Sequence, residues 1–136
     1  MYDLERISIL IDDVNMYIGK IERLEILSME NISDLVFDAC SMNCFSLLNK
    51  ILDLAEEIVR GKNLGIPFKY RDLFDMLVSV KIIDRRLGEK LGDMIILRNK
   101  FSHRYDKINK KELLEFVKDI KEIKIFLKNL EEEIRK

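Results

Sequence analysis

Apolar side chains recur every three or four residues through most of this chain, which is the period of an α-helix. The first such stripe lies in residues 3–27. It consists of Leu4, Ile7, Ile11, Val14, Ile18 and Ile21. Only 5 glycines and 1 proline are available to interrupt such stripes, and this composition favours long helices over a β-sheet with many turns. The spacing therefore predicts a protein built from helices.

Four further segments carry the same helical pattern or a helix-start signal. They are residues 32–60, about 69–80, a helix opened by the capping residue Asp84, and a last helix opened by the capping box Asn109–Glu112. The only proline lies in residues 61–67, which are predicted to form the main loop. The predicted fold is an all-α antiparallel bundle of about five helices, with residues 1–136 forming one domain.

Small and flexible residues refine this prediction. Gly61 is expected just past the end of the second helix as a left-handed cap. Cys40 and Cys44, one helical turn apart, are expected as small core residues with free thiols. The methionines among apolar positions are expected to fill the core. These are Met16, Met42, Met76 and Met94.

The sequence also bears on location. No stretch approaches the roughly 18–20 uninterrupted apolar residues of a membrane span. The first five residues are acidic and lack the basic and apolar regions of a signal peptide. We therefore expect a cytoplasmic protein that does not enter a membrane.

Charge is unevenly distributed along the chain. The net charge is −1, which excludes the overall positive field of a general nucleic-acid coat protein. Residues 1–60 carry 12 acidic and 5 basic side chains, whereas residues 81–111 carry 4 acidic and 10 basic ones. The basic segment is either a solvated face or a surface that attracts phosphates or an acidic partner.

Arg98 interrupts the apolar stripe of the fourth helix. That stripe runs through Leu87, Leu91 and Met94, so that position 98 continues it. A guanidinium is costly to bury and cannot lose its charge. Its position indicates a partner anion, a subunit interface or an occupied cleft, or else a side chain that reaches solvent or pairs with Asp93 or Asp38.

The only histidine, His103, follows Arg98 by five residues, which is about 140° around an ideal helix. The two side chains converge only if the helix ends near Ser102, and the capping signal at Asn109 predicts a loop at 103–108. A lone histidine at a helix end is otherwise simply solvated or hydrogen bonded.

Arg98, His103 and Tyr105 together form an Arg-x4-His-x-Tyr pattern. This pattern resembles the motif of the HEPN superfamily, and specifically the HepT-like toxins of prokaryotic toxin–antitoxin pairs. The resemblance extends over essentially the whole chain. It includes the Tyr70-Arg-Asp-Leu-Phe segment, although the family more often has an acidic residue where this chain has Asn109.

The resemblance implies a metal-independent endoribonuclease, without a cofactor, that acts as a homodimer on RNA such as tRNA or mRNA. Arg98 and His103 would be its catalytic residues, and Asn99, Lys100 and Arg104 would position the substrate. These residue types suit the chemistry. A histidine that titrates near neutrality can accept the proton of a 2′-hydroxyl, and a guanidinium can stabilise the charge on phosphorus.

The resemblance also implies a partner. In a type VII-like toxin–antitoxin pair, an MNT-type nucleotidyltransferase antitoxin attaches AMP to the motif tyrosine, here Tyr105, and added phosphate there would block the site. Three alternatives remain open: a tyrosine that merely packs at a helix end, a non-catalytic HEPN subunit that binds a nucleotidyltransferase and presents its substrate, and a structural bundle with a relic motif.

Overall fold

A computed structural model describes residues 1–102 and 108–136, which form six α-helices and no β-strand. The helices are α1 (Leu4–Arg23), α2 (Asp34–Gly61), α3 (Tyr70–Ser79), α4 (Arg85–Ser102), α5 (Lys110–Lys118) and α6 (Ile120–Ile134). A short 3-10 turn, Ile26–Ser28, follows α1. The predicted all-α antiparallel bundle is confirmed.

Helix α2 lies at the centre of the bundle and packs against α1, α3 and α4. Its inward side is apolar, and the side chains of Cys40 and Cys44 are buried there as free thiols, as predicted. By length and mean hydropathy (1.2) alone, α2 could also cross a membrane. Its buried apolar residues belong to the core shared by all six helices.

Two of the predicted helix starts form as expected. At the start of α4, the backbone N–H of Leu87 donates to the Asp84 carboxylate at 2.8 Å. At the start of α5, Asn109 and Glu112 form a reciprocal capping box. In this box the Glu112 N–H donates to Asn109 at 2.8 Å, and the Asn109 N–H donates to Glu112 at 3.0 Å. Such side chains satisfy backbone donors that have no partner within the helix.

The predicted cap at the end of α2 is wrong. Gly61 is the last residue of the helix, and the left-handed residue is Asn63, with a φ of 53°. Asparagine tolerates this conformation better than most residues with a side chain. Gly61 is needed for another reason: the ring of Tyr2 lies so close that a Cβ would collide with it. The amino group of Met1 also donates to the Gly61 carbonyl at 2.7 Å.

Two predicted helices are interrupted. The first ends at Arg23 instead of residue 27, because the chain turns at Glu25, whose φ is 51°, and this turn buries Ile26 in the core. The last predicted helix is divided into α5 and α6 at Asp119. The carboxylate of Asp119 pairs with Lys90 of α4 at 3.0 Å. No glycine or proline near Asp119 indicates in the sequence that the helix is interrupted there.

Two of the four methionines predicted to fill the core are exposed. Met94 is buried and Met76 is half-buried, but Met16 and Met42 are exposed, Met42 by 72%. Met42 lies on the same side of α2 as Leu35, which is 81% exposed. The outer side of the N-terminal half of α2 is therefore apolar and open.

Close packing of α3 on α4 yields the first testable prediction. A Cβ on Gly88 would collide with Cγ2 of Val78, and valine has no flexible end that could move aside. We expect Gly88→Ala to lower the free energy of unfolding by about 1–3 kcal/mol, measured by urea denaturation.

Gly19→Ala is the matched control. Its Cβ would meet the Nη1 atom of Arg23 at 3.2 Å, at the end of a flexible side chain. We expect this variant to be unchanged or stabilised by up to about 1 kcal/mol. A Gly88→Ala protein as stable as the wild type would contradict the packing described here.

Candidate active site

The side chain of Arg98 is half-buried between α4 and α2. Its Nε donates a hydrogen bond to Oδ1 of Asn49. The guanidinium carbon lies 5.3 Å from the centre of the Phe45 ring and 5.5 Å from that of the Tyr70 ring. Two aromatic rings at this distance attract a cation, and among the described residues no carboxylate forms an ion pair with Arg98.

These three partners come from two elements of the fold. Phe45 and Asn49 are one turn apart on α2 and therefore share a face of the helix, while Tyr70 is the first residue of α3. Sequence reasoning did not identify Asn49 or Phe45 as site residues. A polar residue one turn from an aromatic one, in the apolar middle of α2, was the signal available for them.

Among the described residues, neither of the two expected carboxylate partners, Asp93 and Asp38, forms an ion pair with Arg98. Asp93 pairs with Arg71 at 2.8 Å instead, and within residues 1–102 and 108–136 Asp38 forms no ion pair. In the same ranges neither terminal nitrogen of Arg98 has a hydrogen-bond acceptor. The fixed Nε and the two open terminal nitrogens leave a geometry that suits phosphate, which guanidinium binds in a bidentate manner.

Asn99 and Lys100 follow Arg98 on the last turn of α4. Asn99 is exposed, and its carbonyl accepts a hydrogen bond from the Ser102 hydroxyl at 3.1 Å. The Lys100 ammonium pairs with Oε2 of Glu112 on α5. Substrate positioning by Asn99 and Lys100 stays a prediction, and the charge of Lys100 is already shared with a carboxylate.

The chain is anchored on both sides of residues 103–107. On the N-terminal side, Phe101 packs edge-to-face on Phe116 of α5, with ring centres 5.3 Å apart. On the C-terminal side, Ile108 is buried. Glu112 contacts both sides, since it binds Lys100 with one oxygen and the Asn109 N–H with the other.

Three predicted site residues, His103, Arg104 and Tyr105, lie outside the described residues, as does the predicted loop except for Ile108, which is not helical. Their roles stay predictions. Among the described residues no group of three or more histidine, cysteine or acidic side chains could hold a metal ion.

A cleft of about 610 Å³ opens beside this site, between α2 and the end of α4. Its walls are mostly aromatic and aliphatic. The lining residues are Phe37, Asp38, Ser41, Met42, Phe45, Lys100, Phe101, Ser102 and Ile108. The buried Ser41 hydroxyl has no hydrogen-bond partner in the part of the chain that the structure describes. The cleft is therefore an apolar space with a few polar groups, as is typical of binding sites.

Much of the positive charge of α4 is paired within the protein. Three of its cations form ion pairs with one acidic residue on α5, one on α6 and one between these two helices. The pairs are Arg86–Glu122 at 3.0 Å, Lys90–Asp119 at 3.0 Å and Lys100–Glu112. The basic segment is thus neither simply solvated nor wholly free for phosphates, because part of it holds α4 against its neighbours.

A family model described as Ribonuclease HepT-like matches residues 14–130. The chain belongs to the HepT-like family. The match spans α2, α3 and α4 with the Arg-x4-His-x-Tyr pattern, and it confirms the resemblance to HEPN proteins. The mRNA nuclease HepT of Shewanella oneidensis is 33% identical over 72 residues. This alignment covers 53% of the chain and 54% of that relative, so the chain matches about half of its length.

Solved structures of other proteins have the same fold as this HepT-like chain. A tri-AMPylated HEPN toxin of Shewanella oneidensis in complex with an MNT antitoxin has a TM-score of 0.85 and 25% identity, over 96% of this chain and 98% of that one. The cytosolic protein YutE of Bacillus subtilis, of unknown function, has a TM-score of 0.83 and 20% identity, over 98% and 93%. At that identity the likeness to YutE shows the fold alone.

The double contact of Glu112 yields a prediction about pH. The Lys100 ammonium and the Asn109 N–H hold the pKa of Glu112 below its ordinary value of 4.5. A carboxylate whose pKa is lowered by folding stabilises the folded protein when it is ionised. This contribution is lost as the pH falls through the pKa of the carboxylate in the folded protein. We expect Glu112→Gln to cost less than about 1 kcal/mol at pH 7, with the difference from wild type shrinking as the pH falls from 4.5 through the lowered pKa of Glu112.

Urea denaturation at several pH values measures this difference. Glu115→Gln is the control, because Glu115 is exposed on the same helix and forms no ion pair among the described residues. A Glu112→Gln effect that stays the same size from pH 7 to the most acidic pH at which the protein folds would show that the carboxylate charge does not hold the two sides together.

Proposed function

We propose that this protein is the toxin of a type VII-like toxin–antitoxin pair and a metal-independent endoribonuclease. The observation that carries the proposal is the guanidinium of Arg98, which is fixed at Nε by Asn49 while its terminal nitrogens have no acceptor among the described residues. The Arg-x4-His-x-Tyr pattern places the only histidine five residues further along the chain. Membership of the HepT-like family and a relative named as an mRNA nuclease support RNA as the substrate.

The proposed reaction uses the 2′-hydroxyl of the RNA as its own nucleophile. His103 accepts the hydroxyl proton while O2′ attacks phosphorus. The bond to the 5′-oxygen breaks, and that oxygen leaves with the electron pair and takes up a proton from water. Arg98 stabilises the negative charge that develops on the phosphorane. The neutral imidazole is the form of His103 that can act as this base.

The neighbouring residues complete the proposed site. Asn99 is exposed beside Arg98 and positions the substrate, and Arg104 binds a flanking phosphate. Lys100 contributes its remaining hydrogen-bond donors while it holds α5 through Glu112. The reaction requires no metal and no cofactor, because the charge and the base both come from side chains.

The proposed active form is a homodimer of the single-domain chain in the cytoplasm. Leu35 and Met42 are two exposed apolar side chains on the outer side of α2, and adjoining exposed apolar side chains favour a protein contact. Phe45 and Asn49 continue the same side of α2 towards Arg98. A second copy bound there would bring two sites together in a two-fold arrangement.

The proposed partner is an MNT-type nucleotidyltransferase that acts as the antitoxin and transfers AMP to Tyr105. The structurally similar Shewanella oneidensis toxin, described as tri-AMPylated and in complex with an MNT antitoxin, supports this proposal. Added phosphates carry negative charge and bulk next to His103 in the sequence. They would compete with RNA phosphate for Arg98.

Cleavage of RNA in EDTA tests the activity. We expect the wild type to cut tRNA or mRNA under these conditions. His103→Ala should lower kcat/KM about 10²- to 10⁴-fold. Arg98→Lys should lower it about 10²- to 10³-fold, because a lysine lacks the paired donors of the fork.

Arg85→Lys is the matched control, an exposed arginine on the same helix, and it should retain full activity. Wild-type protein that is inactive in EDTA and harmless on expression, yet forms a tight complex with the nucleotidyltransferase, would favour the non-catalytic HEPN subunit instead.

Mass spectrometry after co-expression with an MNT-type nucleotidyltransferase from the same genome tests the control mechanism. We expect a gain of one or more AMP units on Tyr105 and none in Tyr105→Phe. Native spectra of the complex should contain two copies of this chain. AMP on other residues, or no AMP at all in a stable complex, would contradict the proposed modification.

A further inference from the structure

Tyr70 contacts Arg98 on one side and is exposed to solvent on the other. Its ring lies 5.5 Å from the guanidinium carbon of Arg98, yet 47% of the residue is exposed. An aromatic ring has two faces, and the guanidinium occupies one side of this ring. The remaining surface of the ring is open to solvent directly beside the proposed phosphate-binding group.

The backbone around Tyr70 is fixed. The N–H groups of Phe68 and Lys69 both donate to the Asp72 carboxylate at 3.0 Å, which secures the start of α3 at Tyr70. The side chain of Phe68 is 95% exposed. Two exposed aromatic residues with a lysine between them thus lie on a turn whose backbone is hydrogen bonded to α3, and a backbone that is already ordered lowers the entropic cost of binding a ligand.

We propose that Tyr70 is a stacking platform for one unpaired nucleobase next to the cleaved phosphate, with Phe68 as a second, outer platform. The inference rests on the proposed ribonuclease function. Single-stranded RNA is recognised through splayed bases that stack on aromatic side chains and arginine planes. A base on the open side of Tyr70 would lie across the ring from the Arg98 guanidinium.

The charges beside Tyr70 favour RNA over a protein as the occupant. The guanidinium of Arg98 lies beside the ring of Tyr70. Lys69, the residue before Tyr70 in the chain, is exposed. An apolar protein contact would leave the terminal nitrogens of Arg98 buried without an acceptor, which is costly. A nucleotide supplies both a ring for Tyr70 and a phosphate for Arg98. The platform also implies a preference for single-stranded RNA, since a paired base cannot stack there.

Binding of short RNA to the full-length His103→Ala protein, followed by fluorescence anisotropy, tests this inference. Two oligomers are compared: a single-stranded RNA, and one of equal length whose nucleotides lack bases. We expect Tyr70→Phe to bind both like the parent. Tyr70→Leu should bind the normal oligomer about five- to a hundredfold more weakly and the baseless oligomer equally well.

Tyr17→Leu is the matched control. Tyr17 also carries a cation on its ring, Lys20 at 5.6 Å, but lies on α1. This variant should bind both oligomers like the parent.

Equal losses for both oligomers in Tyr70→Leu would overturn the inference and assign Tyr70 to the positioning of Arg98. If Tyr70→Leu binds RNA like the parent but no longer forms the homodimer or the complex with the nucleotidyltransferase, the inference would be overturned in favour of a protein contact at Tyr70. Cleavage by the wild type in EDTA keeps the two proposals distinct. An active enzyme without the base-dependent loss refutes the platform alone, whereas an inactive enzyme that binds neither oligomer refutes the function as well.

Discussion

The site depends on a positive charge that is half-buried and cannot be neutralised. Water is partly excluded from Arg98, and within the described ranges no carboxylate pairs with it. Its stability there comes from one amide oxygen and two aromatic faces. These partners satisfy one part of the guanidinium and leave the rest in need of an anion. The mutual positions of α2, α3 and α4 are what bring the partners together.

The second requirement is that α4 ends in a fixed place. An aromatic pair and one carboxylate hold its last turn to α5, and the same carboxylate caps the helix that follows residues 103–107. The bundle thus acts as a frame that holds the guanidinium of Arg98 where α2, α3 and α4 meet.

The sequence allowed much of this to be predicted, because each prediction rested on a local signal. Helical periodicity identified the helices, and Asp84 and Asn109 marked two starts through hydrogen bonds within three residues. The predictions that were wrong concern features that depend on contacts between residues far apart in the sequence. Gly61 is small because Tyr2 lies over it, and Asp119 interrupts a helix beside Lys90. Arg98 was identified as anomalous, but Asn49 and Phe45 are 49 and 53 residues away along the chain, too far for any spacing rule.

The paired cations of α4 have a consequence for discrimination. A protein that binds a polyanion through many free cations releases as many counterions, and its affinity for every RNA then falls steeply with ionic strength. Three cations of α4 already have carboxylate partners, so these three would displace fewer counterions than free cations do. Attraction for bulk nucleic acid is weaker than the number of basic residues suggests, and selectivity would depend more on how well one strand fits the arginine and its aromatic neighbours.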